Sequence, residues 1–462
     1  SRYVGANGDP DSAGRNIENW TPEFNVVDDP SSGVQGFLTP HWGNVESFAL
    51  GVVRDAGGEI VADADGDSIT DYALPPAPQG FFAAGFEAST LDLDAKTITL
   101  AGGGVTLTDG ASSVTFLNGD VIDLFALTIG QRADLRGKVV NDDFIGQAEQ
   151  VVAYSGTLTD TGKLVAEFYE DGGGTAFPPG TWMAYGQFVS ARDEHDTDAD
   201  AKLFLALGNA VMDAGIATWE AKIEYDYARP IRAIRDLGDL GLLGDPLDEN
   251  GNVIETDANG DPVYFIEAFA GFDSAADPAN GLGTQLIPAS EFVTFQRPGD
   301  SSPPFAEYTS GHSAFSRAGA EVLRAFTGSD EFGATVIFEP GSSQFEIGVP
   351  SEPVTIELAT FVESDGFNGS QDLAPDALVA LLEAGTADSD AWNALGISAA
   401  DQAGLSRLFG GIHFQEGDIN GRDLGAEVGQ QAFELAQRFI DGTATDADRP
   451  FNDPIDFDDA LA

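Results

Sequence analysis

The sequence predicts a mainly helical protein interrupted by β-hairpin insertions, and three observations carry that reading. Five segments place apolar residues at three- and four-residue intervals: "DDFIGQAEQVVAYSG", "DADAKLFLALGNAVMDAGIATWEAKIEYDYARP", "HSAFSRAGAEVLRAFTG", "DALVALLEAGTADSDAWNALG" and "DLGAEVGQQAFELAQRFIDG". Two stretches, near 85–130 and 335–360, carry short β-branched runs between turn residues. No repeat period runs along the chain, which argues against a solenoid.

In chain order, residues 1 to about 55 are rich in Gly, Asn, Asp and Pro and read as an irregular arm with aromatic anchors. Together with the insertion near 85–130 they make a region 1–190; residues 191–450 hold the long helical patterns, and both are expected to form one compact unit. Between about Gly241 and Val293 the chain is loop-rich, with "DENGNVIETDANGDPVYF" reading as tight turns around a hairpin. After the helix that begins near His312, "SQFEIGVPSEPVTIEL" reads as a second β excursion.

Composition narrows the function classes. Lys and Arg total 21 against 77 Asp and Glu, a net charge of −56, which argues against nucleic acid or an anionic membrane as partner. No uninterrupted apolar run reaches the length of a membrane span. Cysteine is absent, so neither disulfides nor thiolate chemistry enter. A secreted or periplasmic protein in saline surroundings is the expectation. In "DADGDSITD", Asp63, Asp65, Asp67 and Asp71 are spaced like oxygen ligands of a calcium loop, though without the terminal Glu of an EF-hand. An acidic turn without an ion explains the same residues.

Three segments carry candidate chemistry. "PPFAEYTSGHSAFSRAGAEVLRAF" sets His312 directly after Ser310 and Gly311 at the start of a helix, where free backbone N–H groups and the helix dipole favour an anion. In "TWEAKIEYDYARPIRAIR", Lys222 and Arg229 are seven residues apart, nearly two turns of a helix that Pro230 should end or bend, with Trp219 and Asp226 on the same stripe. "GLSRLFGGIHFQEGDINGRDLG" holds Arg407 and His413, which a chain break at Gly410–Gly411 would let converge. Taken singly, each segment is also explained by a capped helix, solvated cations or a packed histidine. Together they offer three cations, a helix N-terminus and two imidazoles, the donors a tetrahedral or trigonal-bipyramidal oxyanion needs.

This three-part pattern, Lys-x6-Arg-Pro, Ser-Gly-His and Ser-Arg-x5-His, resembles the type 2 phosphatidic acid phosphatase superfamily, which includes the vanadium-dependent haloperoxidases. The resemblance implies two packed helical bundles around one anion site. It implies that Lys222, Arg229, Ser310, Gly311 and Arg407 hold the equatorial oxygens of vanadate or phosphate. His413 would be the axial ligand of vanadium, or the nucleophile toward phosphorus, and His312 the acid–base group on the opposite side. The family usually has Asp four residues after the last histidine to orient it; here that position is Gly417, between Glu416 and Asp418, and Asp418 is the expected replacement.

Vanadate and phosphate share charge and shape, so the choice of activity rests outside the cage. Trp219 and Phe305 resemble the apolar wall of the fungal-type chloroperoxidases and some bacterial relatives, where algal-type bromoperoxidases generally carry a His in place of Phe305. The expected function is therefore vanadate-dependent oxidation of bromide or iodide, with chloride open, by hydrogen peroxide to hypohalous acid that reaches small organic acceptors. His312 would take the peroxide proton and Lys222 would polarise the bound oxidant. Two alternatives stand: an acid phosphatase working through a phosphohistidine, and a non-enzymatic secreted anion-binding protein. The oligomeric state is not fixed by any of these residues.

Overall fold

The computed structural model describes residues 7–42, 45, 47–50, 74–362, 375–385 and 388–444. The loop with Asp63, Asp65, Asp67 and Asp71 lies outside them. Residues 7–42 form the irregular arm, with a 3-10 turn at Pro30–Ser32 capped by Asp29. The first β insertion follows as β1 (Thr90–Asp92), β2 (Thr97–Thr99), β3 (Val105–Thr108), β4 (Ser113–Phe116) and β5 (Val121–Asp123). Antiparallel pairing gives a sheet of order β1-β2-β5 and a separate β3–β4 hairpin.

Helices then dominate: α1 (Ile129–Ala133), α2 (Asp142–Gly156), α3 (Asp160–Phe168), α4 (Phe177–Arg192), α5 (Thr197–Tyr225) and α6 (Pro230–Asp239). The loop-rich stretch contains two successive Asx turns, at Asp248 and Asp257, then an antiparallel hairpin of β6 (Phe265–Phe269) and β7 (Thr284–Pro288). The chain continues through α7 (Gly311–Thr327) and the antiparallel pair β8 (Glu331–Phe338) and β9 (Val354–Thr360). It closes with α8 (Pro375–Gly385), α9 (Ser389–Ala394), α10 (Ala399–Phe409) and α11 (Gln415–Ile440). Among the described residues, no helix is long and apolar enough to cross a membrane.

Two boundaries matter for the site, and the first corrects the sequence reading. Lys222 and Arg229 do not share a helix: α5 ends at Tyr225, Asp226 takes the left-handed conformation (φ 44, ψ 41), and Arg229 is the N-cap residue of α6. The reason is Pro230, which is favoured at the first position of a new helix and disfavours helical geometry in the residue before it. The second boundary is as expected, since α10 ends before Gly410 and Gly411 turns the chain at φ 70 into α11.

Two apolar clusters form the interior. One joins α3, α4, α5, α7, α10 and α11 with the β8–β9 pair, around Trp182, Leu207, Phe315, Phe332 and Leu408. The other joins the first β insertion to α2, α6 and the β6–β7 hairpin, around Ile98, Phe144, Ile234 and Phe292. Residues on both sides of position 190 contribute to each cluster: Leu164 packs in the first and Ile234 in the second. Trp219 belongs to the first and Tyr227, Tyr308 and Phe414 to the second, so the motif residues lie where the clusters meet.

Candidate oxyanion site

Ser310 opens α7 with extended backbone and a side chain that accepts from the Ser313 N–H at 3.3 Å, an N-cap that leaves the helix's first amides pointing outward. The N–H groups of Gly311 and His312 have no hydrogen-bond partner among the described residues. Lys222, Arg229, Arg407 and His413 are all at most 2% exposed, although 191 residues separate the first from the last. Burial lowers the proton affinity of His413 most, and Arg229, Lys222, His312 and Arg407 lower it further, so the five groups share one electrostatic neighbourhood.

Each cation is desolvated. Burial holds Lys222 well below its usual range, with Arg229 adding to the effect. It brings Arg229 down to about 9 and Arg407 to about 10, against the pull of Glu307 on the first and of Asp171 and Glu170 on the second. Arg229 donates from Nη1 to Ile412 O at 2.8 Å and approaches His413 Nε2 at 3.0 Å. Its Nε donates to Phe305 O at 2.8 Å. Arg407 Nη2 donates to Ala166 O and Nε to Ser406 Oγ, while Nη1 has no partner among the described residues.

Lys222 differs from the role the family resemblance implies. Its ammonium donates to Ala306 O at 2.9 Å, Glu307 O at 2.8 Å and Thr309 O at 2.5 Å, which engages all three hydrogens. It braces the loop leading into Ser310 and gives the site charge rather than a free N–H.

The two imidazoles present different nitrogens. His413 Nδ1 lies 2.6 Å from Glu307 Oε1; a carboxylate accepts, so Nδ1 carries the proton and Nε2 keeps its lone pair, which faces Arg229 Nη1. His312 Nε2 lies 3.2 Å from the carbonyl of Glu170, so that nitrogen is the donor and Nδ1 holds the lone pair. Burial first, then Arg407, keeps His312 neutral by pushing its pKa well down.

Asp418 is a correction. It does not orient His413: it accepts from Arg422 at 2.9 and 2.6 Å and from Ser313 Oγ at 2.7 Å, neutralised where it stands. The partner of His413 is Glu307, fully buried, which also accepts from the Phe414 N–H at 3.1 Å. Sequence reasoning missed it; the available signal was one acid inside the otherwise apolar run "PPFAEY".

Phe305 lies with its ring centroid 5.2 Å from Lys222 Nζ, 4.9 Å from Arg229 Cζ and 5.0 Å from the Trp219 ring. Trp219 donates to Leu38 O and packs against Trp42 with ring centroids 4.9 Å apart and planes tilted by 50°, so the arm supports this wall from outside. His41 is exposed and His195 sits between α4 and α5 near Asp200; neither enters the cage.

The donor set fits vanadate or phosphate. None of the three buried cations forms an ion pair among the described residues: Glu307 acts on Lys222 and Arg229, and Asp171 and Glu170 on Arg407, only at longer range, with Glu170 already paired to Arg297, so a bound oxyanion would offset uncompensated positive charge. Free amides at Gly311 and His312, Arg407 Nη1 and the buried, unpartnered Thr309 hydroxyl are the available donors. Among the described residues no group of three or more His, Cys, Asp or Glu is arranged to hold a bare metal ion, whereas vanadium in an oxyanion asks only one protein ligand, for which His413 Nε2 is suited.

A helical-bundle protein with three buried cations gathered beside two histidines is the class these features define. Residues 202–370 and 388–442 match the family model of the VCPO second helical-bundle domain. The matched segments, a little under half of the chain, hold all three motifs and support a vanadium haloperoxidase-like family. It shares its fold with an apo-type bacterial vanadium-dependent chloroperoxidase at 18% identity and a TM-score of 0.55, over 96% of this chain and 66% of that one. The holo-type bacterial enzyme gives 17% and 0.52 over 95% and 64%. A bacterial vanadium-dependent iodoperoxidase gives 17% and 0.38 over 64% and 49%. The chain spans just under two thirds of the length of the chloroperoxidase chains. No curated protein matches it in sequence.

Proposed function

We propose that the protein binds vanadate and oxidises bromide or iodide with hydrogen peroxide, releasing hypohalous acid to small organic acceptors. The observation that carries this choice is Phe305, packed over both Lys222 and Arg229 and backed by Trp219. An apolar cover over buried cations keeps water from a bound oxidant and strengthens the local field, whereas the cage by itself serves phosphate equally well. An exported, saline setting suits the net charge of −56.

His413 Nε2 would hold the vanadium, with Arg407 and the Gly311 and His312 amides on its oxygens. Bound vanadate supplies Lewis acidity that makes peroxide electrophilic without a change in oxidation state. His312 contributes a neutral Nδ1 able to take a proton from incoming peroxide and return it to the leaving hypohalite. Arg229 Nη1, which donates to His413 Nε2, would turn from that lone pair toward an oxygen of the bound anion and balance its negative charge.

A halogenation assay on vanadate-free protein, with and without added orthovanadate, run beside a phosphate-ester assay, tests the reading. Vanadate-dependent bromide or iodide oxidation is expected, with ester hydrolysis slow and blocked by vanadate. Rapid ester hydrolysis without halide oxidation would establish a phosphatase, with His413 Nε2 as nucleophile. Anion binding with neither reaction would leave a binding protein.

A further inference from the structure

Position 417 and position 307 compete for one space. A Cβ placed on Gly417 would lie 2.3 Å from Glu307 Oε1 and 2.9 Å from its carboxyl carbon, too close for both to stay. The carboxylate of Glu307 thus fills the volume into which a side chain at 417 would project, and from there reaches His413 Nδ1 at 2.6 Å. Glu307 reaches this place from the loop before α7, whereas Gly417 sits in the first turn of α11.

We propose that Glu307 is the positioning residue of His413, having taken over from the loop before α7 the task that a carboxylate at position 417 could perform, and that position 417 is glycine because Glu307 occupies its side-chain space.

The loop holding Glu307 is built for that purpose. Its backbone N–H donates to Tyr227 O at 3.0 Å, its carbonyl accepts from Lys222, and the carbonyls on either side, of Ala306 and Thr309, accept from Lys222 as well. Ser310 N–H donates to Gly417 O at 2.9 Å, joining the far end of the loop to the same turn of α11. Lys222, the loop and His413 therefore move as one unit, and the cation cluster acts on the anion partly through the histidine it fixes. Because Oε1 accepts at Nδ1, the lone pair is confined to Nε2 whichever oxyanion occupies the site. This inference rests on the oxyanion reading of the site but not on the choice between halide oxidation and ester hydrolysis.

The test uses ring nitrogen and Nδ1–H signals in ¹⁵N-labelled full-length protein, where four histidines make His413 assignable by comparison with His413→Ala. Orthovanadate and inorganic phosphate titrations accompany it. Glu307→Gln, close in size, should weaken the hydrogen-bonded Nδ1–H signal and reduce binding of both anions by roughly 10–100-fold. Gly417→Asp alone should impair both readouts, because the new side chain meets Glu307. In the Glu307→Ala background the same Gly417→Asp change should do the reverse and bring the Nδ1–H signal and anion binding back toward the native values. An unchanged His413 signal in Glu307→Gln, or no gain from Gly417→Asp in the Glu307→Ala background, would overturn the proposal. Loss of halide oxidation with the ring signature and its epistasis intact would overturn the functional reading and leave this one standing.

Discussion

His413 is buried and His312 half-buried, and both are held neutral, yet each keeps its lone pair on a different nitrogen because each donates to a different oxygen. Glu307 fixes the proton of His413 on Nδ1, and the Glu170 carbonyl fixes that of His312 on Nε2. Under the proposed function, removing the first histidine takes away the ligand atom and removing the second takes away only a proton acceptor. His413→Ala is therefore expected to abolish vanadate retention in equilibrium dialysis. His312→Ala should retain vanadate and lose turnover by about 10²–10⁴-fold, the usual contribution of general acid–base catalysis. Equal vanadate loss in both variants would mean that His312 is a ligand as well. The two histidines and the cations around them were legible in the sequence because their spacing forms a recognisable pattern. Glu307 was not, since its contact with His413 bridges 106 residues and only the fold brings the two together. Asp418 looked suitable by proximity in sequence, but one position further round the helix turns it toward Arg422 and Ser313.

At the scale of the element, α11 carries glycine at 417, 421, 425 and 429, one per turn, on the side that meets Glu307 and α7. A Cβ at 425 would stand 2.3 Å from Ala314 O and 2.9 Å from Ala314 Cα, both backbone atoms that cannot swing aside. Helix propensity alone would make Gly425→Ala stabilising by up to about 1 kcal/mol. Overpacking against α7 costs about 1–3 kcal/mol, so the expected net change is destabilisation, read from the urea midpoint. A midpoint that rises would show that the helices can separate freely. The apolar spacing made α11 legible as a helix, but the glycine row has no apolar signal and became meaningful only when α7 was seen against it. A second element-scale effect concerns the arm. Asp213 on α5 accepts from the Phe48 and Ala49 N–H groups at 2.7 Å, and burial pushes its carboxyl up to about 6. A carboxyl raised on folding favours the fold when protonated, so its contribution is largest below the unfolded value and is lost as pH rises through 6. The stability of the native protein relative to Asp213→Asn should therefore increase by about 1 kcal/mol between pH 7 and pH 5. A pH-independent difference in chemical denaturation would exclude this.

Over the whole molecule, a net charge of −56 surrounds an interior site that gathers three cations, so solution ions act on the protein in two separable ways. The first is screening. Self-repulsion among exposed carboxylates opposes the compact state, and raising NaCl from about 0.1 to about 1 M shortens the Debye length from about 10 to about 3 Å. Tm should rise across that range, in the native protein and in His413→Ala alike, because neither the acidic exterior nor its screening involves the cage. The second is occupancy. An oxyanion that binds only the folded chain stabilises it by RT ln(1 + [L]/Kd), about 2.7 kcal/mol at a hundred times Kd. That gain should appear with orthovanadate or phosphate at fixed ionic strength, persist at about 1 M NaCl where surface effects are spent, and disappear in His413→Ala. Burial is what makes the second response resist salt, since Lys222, Arg229 and Arg407 are at most 1% exposed. A Tm gain from vanadate that His413→Ala retains in full would place the anion outside the cage, and a Tm that falls with NaCl would show that acidic repulsion does not limit this fold.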